Sequence, residues 1–268
     1  MELFEIIGYS LGLLMGIVLG LIGAGGSALT MPIMVYIFHI TPVLASTYSL
    51  FIVGLTSLFG SITHIKNDNV KWRLVIQFGI PSIIAIFLTR AYLLPLLPNV
   101  LFVIHKFQFT KDFLVLILFS VVMIAASFSM IQKSRNNEEI RNLNPKYNQI
   151  KMNFTGIFVG LITGLVGAGG GFLIIPVLIY TGKLPMKKAT ATSLMIITIN
   201  SILGFLSDKQ GIRRIDWLHM AIFASLAIIG IFIGIKLSNK ISSQQLKPMF
   251  GWFILAMGVY IILQQIYR

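Results

Sequence analysis

Eight long apolar runs, at 6–38, 43–65, 74–98, 112–132, 153–181, 189–207, 217–237 and 248–266, leave this chain few folds to choose from. A hydrocarbon core about 30 Å thick is crossed by roughly 20 apolar residues in a helix. Runs of this length predict an all-α polytopic membrane protein. A transmembrane barrel would alternate apolar and polar residues along each strand, and these runs are continuously apolar. Only 11% of the 268 residues are charged, where a soluble domain carries about a quarter.

The net charge of +13 comes from lysines and arginines in the loops between runs. That placement reads as topology control by the positive-inside rule rather than as a nucleic-acid surface. The chain has no cysteine, which removes thiolate metal sites, iron–sulfur clusters and thiol catalysis. No cofactor and no metal are expected. Glu2 and Glu5 stand where a cleaved signal would be basic, so the first apolar run is expected to be retained.

The two halves of the sequence repeat each other. Residues 16–36 read GIVLGLIGAGGSALTMPIMVY and residues 160–180 read GLITGLVGAGGGFLIIPVLIY. An ungapped offset of 144 matches Gly16 to Gly160, Gly20 to Gly164, Gly23 to Gly167, Gly25 to Gly169, Gly26 to Gly170, Pro32 to Pro176 and Tyr36 to Tyr180. It continues through Ala45/Ala189, Ser49/Ser193, Ser57/Ser201 and Gly60/Gly204. Between the halves lies the polar stretch KSRNNEEIRNLNPKYNQIK. The expected organisation is a membrane repeat at 1–132, a cytoplasmic linker at 133–152 and a second repeat at 153–268.

Each repeat opens on a run that no straight helix explains. Residues 6–38 would make a helix of about 50 Å, too long for one span and too short for two. Gly23, Gly25 and Gly26 interrupt it, followed by Ser27 and Pro32. Clustered glycines carry a large helix penalty, so the run is expected to break into a broken helix or a re-entrant hairpin. Non-helical backbone at membrane depth survives only against protein or a wet cavity. A helix beginning near Ser27 offers free N–H groups and a positive dipole end to an anion. Gly167, Gly169, Gly170, Gly171 and Pro176 offer the same in the second half. Gly16, Gly20, Gly160 and Gly164 fit simple close packing of helices. No lysine of a nucleotide P-loop follows either motif.

A polar stripe follows on the next helix. Ser49, Thr56, Gly60, Thr63 and His64 share one face, and Ser193, Asn200, Gly204, Ser207 and Asp208 match them. Interhelical hydrogen bonding and a substrate path both fit this stripe. His64 and Asp208 occupy matched ionisable positions, as proton relay, gate or interface residue. Arg90 lies between apolar stretches, where it attracts an anion or snorkels to the interface, the latter being the expectation. Trp72, Trp217 and Trp252 read as interfacial anchors. With the linker inside, an odd number of crossings per half puts about twice as many lysines and arginines inside as outside, a better fit than an even number. Odd crossings make the halves inverted repeats.

The paired motifs GLIGAGGSALTMPIMVY and GLVGAGGGFLIIPVLIY, each followed by a loop and then ASTYSL (45–50) or ATATSL (189–194), resemble the TauE/SafE sulfite exporter family. The resemblance covers nearly the whole chain. It implies movement of sulfur-containing anions such as sulfite and organosulfonates. It implies a substrate region at Gly23, Gly25, Gly26, Ser27, Pro32, Gly167, Gly169, Gly170, Gly171 and Pro176, with Ser49 and Ser193 from the second motif. Two departures stand out: the stretch 81–111 is longer and poorer in glycine than its counterpart, and Ser27 replaces the glycine found at 171.

The expectation is a secondary transporter, most simply an exporter, of a small anion by alternating access. Its partners are the anion, the lipid bilayer of a prokaryotic inner membrane, protons as coupling ion, and a second copy of the chain. The competing readings are a channel, a membrane scaffold without flux, and an intramembrane hydrolase built on Ser27 and His64.

Overall fold

The computed structural model describes residues 3–23, 26–104, 107–131, 149–238 and 243–266. Among them, eight helices are long and apolar enough to cross a membrane, and two shorter apolar helices accompany them. The protein is an all-α polytopic membrane protein, with one small departure described below.

The first apolar run is α1 (Leu3–Ile22) and α2 (Ser27–Tyr36). Right-handed helix stops at Gly23, whose φ is +81°, a conformation that costs any other residue roughly 1–2 kcal/mol. The chain then turns back. Phe38, just past α2, packs its ring 5.5 Å from that of Tyr9 near the start of α1. Of the two shapes expected for the break, the structure adopts the hairpin. The second half repeats it with α7 (Gln149–Val166) and α8 (Gly171–Tyr180). A Cβ at Gly182, past α8, would lie 3.2 Å from Met152 at the start of α7. Even the exits match: His39 and Lys183, one offset apart, both adopt positive φ (53° and 50°).

In the first half α3 (Pro42–Lys66) and α4 (Trp72–Leu88) follow. A π-helical turn, Thr89–Leu93, and the short α5 (Leu94–Leu96) prolong α4. An antiparallel hairpin comes next, β1 (Val100–Ile104) and β2 (Phe107–Thr110). This hairpin is the departure from the all-α expectation. Pro95 and Pro98 end the helix, β-branched and aromatic residues follow, and Phe102 stacks on Phe109 at 4.5 Å. Then comes α6 (Lys111–Ile131). The expected linker lies mostly outside the described residues; its last four residues, 149–152, already belong to α7. The second half continues through α9 (Met186–Ser207), α10 (Lys209–Ile212), α11 (Trp217–Ser238) and α12 (Ser243–Ile266).

The halves are interlaced rather than side by side. α1 packs on α11 through glycines on both: a Cβ at Gly16 would strike the Ala227 carbonyl, and one at Gly230 the Leu13 carbonyl. α7 packs on α4 in the matching way, with Gly156 against the Phe78 carbonyl and Gly160 against that of Ser82. Small residues let backbones approach where lipid supplies no hydrophobic drive. At the centre α3 and α9 cross antiparallel, with Thr47 bonded to Asp208 and Thr198 bonded to Ser57. α6 and α12 are also antiparallel, Gly251 meeting Met130 and Gly258 meeting Met123. Large apolar side chains such as Ile80, Ile84, Phe128, Phe158 and Leu206 face outward, as a lipid-facing surface requires. Trp72, Trp217 and Trp252 are exposed, the first two at the first residue of their helices.

Candidate functional site at the second glycine break

The tip of each hairpin rests on the other half. At the first break the contact is a cap. Thr190 Oγ1 donates to the Ile22 carbonyl at 3.2 Å and Ser193 Oγ to the Gly23 carbonyl at 3.2 Å. The last carbonyls of a helix lack intrahelical partners, and these two hydroxyls satisfy two of them. Gly26 is right-handed here (φ −62°) and packs on Met15 and Leu19. Ser27 and Pro32 are buried in α2. Gly25 lies outside the described residues.

At the second break the equivalent hydroxyls do something else. Ser46, the counterpart of Thr190, donates to the Val43 carbonyl at 2.6 Å and accepts from Arg90 Nη2 at 2.8 Å. Ser49, the counterpart of Ser193, is buried with no hydrogen-bond partner among the described residues. The backbone differs too: Gly167, Gly169 and Gly170 all have positive φ (76°, 65° and 67°). Gly170 is the N-cap of α8, so the first N–H groups of that helix, from Gly171 onward, open into the break. Pro176 sits further down α8, half-buried.

Arg90 is the main correction to the sequence reading. It does not snorkel; it is 1% exposed and turns inward from the π-helical segment. Its Nη1 lies 2.9 Å from Asp208 Oδ2, and its Nη2 abuts Gly167, where any Cβ would collide with it. Asp208, between α9 and α10, also accepts from Thr47 Oγ1 at 2.7 Å and from the Gly211 N–H at 2.9 Å. A buried arginine without its carboxylate would be costly at membrane depth; paired, the two are neutral together. The Arg90 Nε has no partner among the described residues.

Two further hydroxyls close the break. A Cβ at Gly169 would lie 2.7 Å from Ser201 Oγ, and one at Gly170 would strike Thr163 Oγ1. Both hydroxyls are buried and without partners among the described residues. The glycines of the break thus meet the Arg90 guanidinium and the hydroxyls of Thr163 and Ser201, and Arg90 Nε and both hydroxyls have unused donors. Buried donors left unmade cost about 1–3 kcal/mol each, and a multi-oxygen anion would satisfy several at once.

The remaining candidates are placed apart from the break. Thr56 Oγ1 donates to the Ile52 carbonyl of its own helix at 2.6 Å. Asn200 Nδ2 donates to Ser82 Oγ at 2.8 Å, leaving its Oδ1 unpartnered. His64, the counterpart of Asp208, is buried with neither ring nitrogen hydrogen-bonded among the described residues, so no hydrogen bond joins it to Ser27. The sequence reading overlooked Ser46, Thr47, Thr163 and Ser201. The Ser46/Thr190 match at the 144-residue offset was a usable signal; Thr163, opposite Leu19 in the repeat, carried none.

Comparison with known proteins fits this architecture. The family model for the sulfite exporter TauE/SafE matches residues 9–261. The chain belongs to the TauE/SafE family. A probable membrane transporter protein of Methanocaldococcus jannaschii is 29% identical over 94% of this chain and 93% of its own length. A probable membrane transporter protein of Bacillus subtilis, YunE, is 24% identical over 96% and 97%. A TauE/SafE family protein of Arabidopsis thaliana, named as a sulfite exporter, is 22% identical over 47% of this chain and 29% of its own. No solved structure gives a significant match. This TauE/SafE chain is therefore a multi-pass membrane protein of a transporter family.

Proposed function

We propose that the protein is a secondary carrier that exports a small sulfur-containing anion, sulfite or an organosulfonate, by alternating access. The observation that carries this reading is the set of buried groups with unused donors at the second glycine break: Arg90, Thr163 and Ser201. The Arg90 guanidinium, Thr163 and Ser201 lie against Gly167, Gly170 and Gly169, and the start of α8 adds backbone donors and a positive dipole end. The set holds no metal-binding cluster among the described residues and matches an oxyanion in sign.

In this reading the halves are inverted repeats and each glycine hairpin is re-entrant. The first hairpin, capped by Thr190 and Ser193, is the structural partner; the second holds the anion. The linker at 133–152 is cytoplasmic in an inner membrane, protons supply the coupling ion, and the chain assembles with a second copy. The reading makes no use of Ser27 and His64 as a hydrolytic pair.

Purified protein in proteoliposomes tests it, with uptake of radiolabelled sulfite, sulfate, thiosulfate and a short organosulfonate followed under an imposed gradient. Saturable flux that Ser201→Ala lowers while the protein stays monodisperse supports the carrier. Absence of flux for every anion overturns it and favours a scaffold. Flux that does not saturate favours a channel.

A further inference from the structure

We propose that Arg90 and Asp208 form a proton-operated switch at the second break, so that one proton travels with each anion. The inference rests on the carrier reading above.

The two partners of the ion pair are not equally occupied. Asp208 is largely occupied: Oδ2 accepts from Arg90 and Thr47, and Oδ1 accepts from the Gly211 N–H. Arg90 is not, because Nε is unused and Nη2 reaches only Ser46 while lying against Gly167. The guanidinium reaches the break at Gly167, where Thr163 and Ser201, at Gly170 and Gly169, also have unused hydroxyls.

An anion placed there would share one guanidinium with a carboxylate. Two negative charges around one buried positive charge are strongly disfavoured in a low-dielectric site. A proton on Asp208 Oδ2 removes the conflict. The new O–H donates to Thr47 Oγ1, whose own proton turns to the Val43 carbonyl, already 3.4 Å away. Arg90 then pairs with the anion. For a monovalent anion both states are neutral overall: Arg90 with Asp208 carboxylate, or Arg90 with anion and a protonated Asp208. Return to the first state releases anion and proton together.

The charged groups near Asp208 do not replace this exchange. Lys111, at the start of α6, donates to the Leu94 carbonyl at 2.8 Å and lies within electrostatic reach of Asp208, Asp112 and Arg214. Asp112 accepts from the Val43 N–H at 3.0 Å. Lys209 is the next residue in α10 and is exposed. From α3 the facing groups are the uncharged Ser46 and Thr47. At the first break the positions equivalent to Arg90 and Asp208 are Gly234 and His64, so no such pair exists there and the switch is single.

The test uses reconstituted full-length protein and monovalent strong-acid anions: methanesulfonate, ethanesulfonate and isethionate. None of these titrates near neutrality, so any proton moved belongs to the protein. Radiolabel counts the anion and a trapped pH dye counts the proton. The expected wild-type result is one proton per anion and flux stimulated by a proton gradient. Asp208→Asn is expected to move no proton and to ignore the gradient in whatever anion exchange it retains. Arg90→Gln is expected to lower flux by about 100-fold. Wild-type flux without protons, or coupling that persists in Asp208→Asn, overturns the switch and leaves the carrier standing. No flux of any of these anions or of sulfite by folded wild type overturns both. The wild-type proton count decides the matter even if neither variant folds.

Discussion

Arg90 and Asp208, 118 residues apart in sequence and in different halves of the repeat, meet at 2.9 Å in the interior of the protein. Each is held by hydroxyls from α3, Ser46 for Arg90 and Thr47 for Asp208. The pair therefore ties three helical segments together as well as facing the glycine break.

The first prediction concerns stability. Removing one partner of a buried pair leaves an uncompensated charge and costs roughly 3–5 kcal/mol. Arg90→Met and Asp208→Asn should each lower the thermal midpoint in detergent. The double variant should be more stable than the sum of the two losses allows, with a coupling of about 1–3 kcal/mol. Strict additivity would show that the pair is not formed in the membrane protein as isolated.

The second uses glycines as internal controls. Gly170→Ala combines a positive φ with a collision at Thr163 and should destabilise by more than about 2 kcal/mol. Gly79→Ala, inside α4 with open space where its Cβ would go, should be neutral or stabilising by up to about 1 kcal/mol. Parallel melting curves of the two variants give the comparison directly.

The third addresses the seam between α1 and α11. Gly16→Leu and its repeat equivalent Gly160→Leu both drive a side chain into a facing backbone carbonyl. Both should reduce the folded yield, by about the same factor, whereas Ser201→Ala, which removes an unpartnered hydroxyl at the break, should lower transport in preference to yield. Size-exclusion profiles alongside flux separate the two classes.

The fourth is a pH effect outside the spans. Asp216 accepts from the N–H groups of Leu218 and His219 at the start of α11, and His219 Nδ1 lies 2.8 Å from its other oxygen. The His219 side-chain hydrogen bond, then its backbone N–H, hold the Asp216 carboxyl below the usual carboxylate range. A lowered carboxyl pKa adds stability above its unfolded value and loses it as pH falls through the folded one. Amide protection at Leu218 and His219 should therefore fall below about pH 4 in the wild type. In Asp216→Asn it should show no such step.

Much of the architecture was legible because it is written twice. The matched glycines announced both breaks, and the excess length of residues 6–38 required a fold within that run. The fate of Arg90 was not legible. Apolar flanks say that an arginine lies near the membrane, but only the π-helical turn and the missing side chain of Gly167 aim it inward. The unequal roles of Ser46 and Thr190 were hidden for a related reason: matched hydroxyls suggest matched jobs, and a cation on one side alone redirects one of them. The hairpin at 100–110 had local signals in Pro95, Pro98 and the β-branched run, masked by an apolar character continuous with the helices around it.

The interlacing of α1 with α11 and of α7 with α4 has a consequence for biogenesis. During synthesis α1 enters the bilayer long before α11 has been made, so its glycine face waits against lipid or an insertase until the second half arrives. The first half is therefore not a folding unit in its own right. Truncation after the linker leaves an orphaned surface that quality-control proteases would meet first.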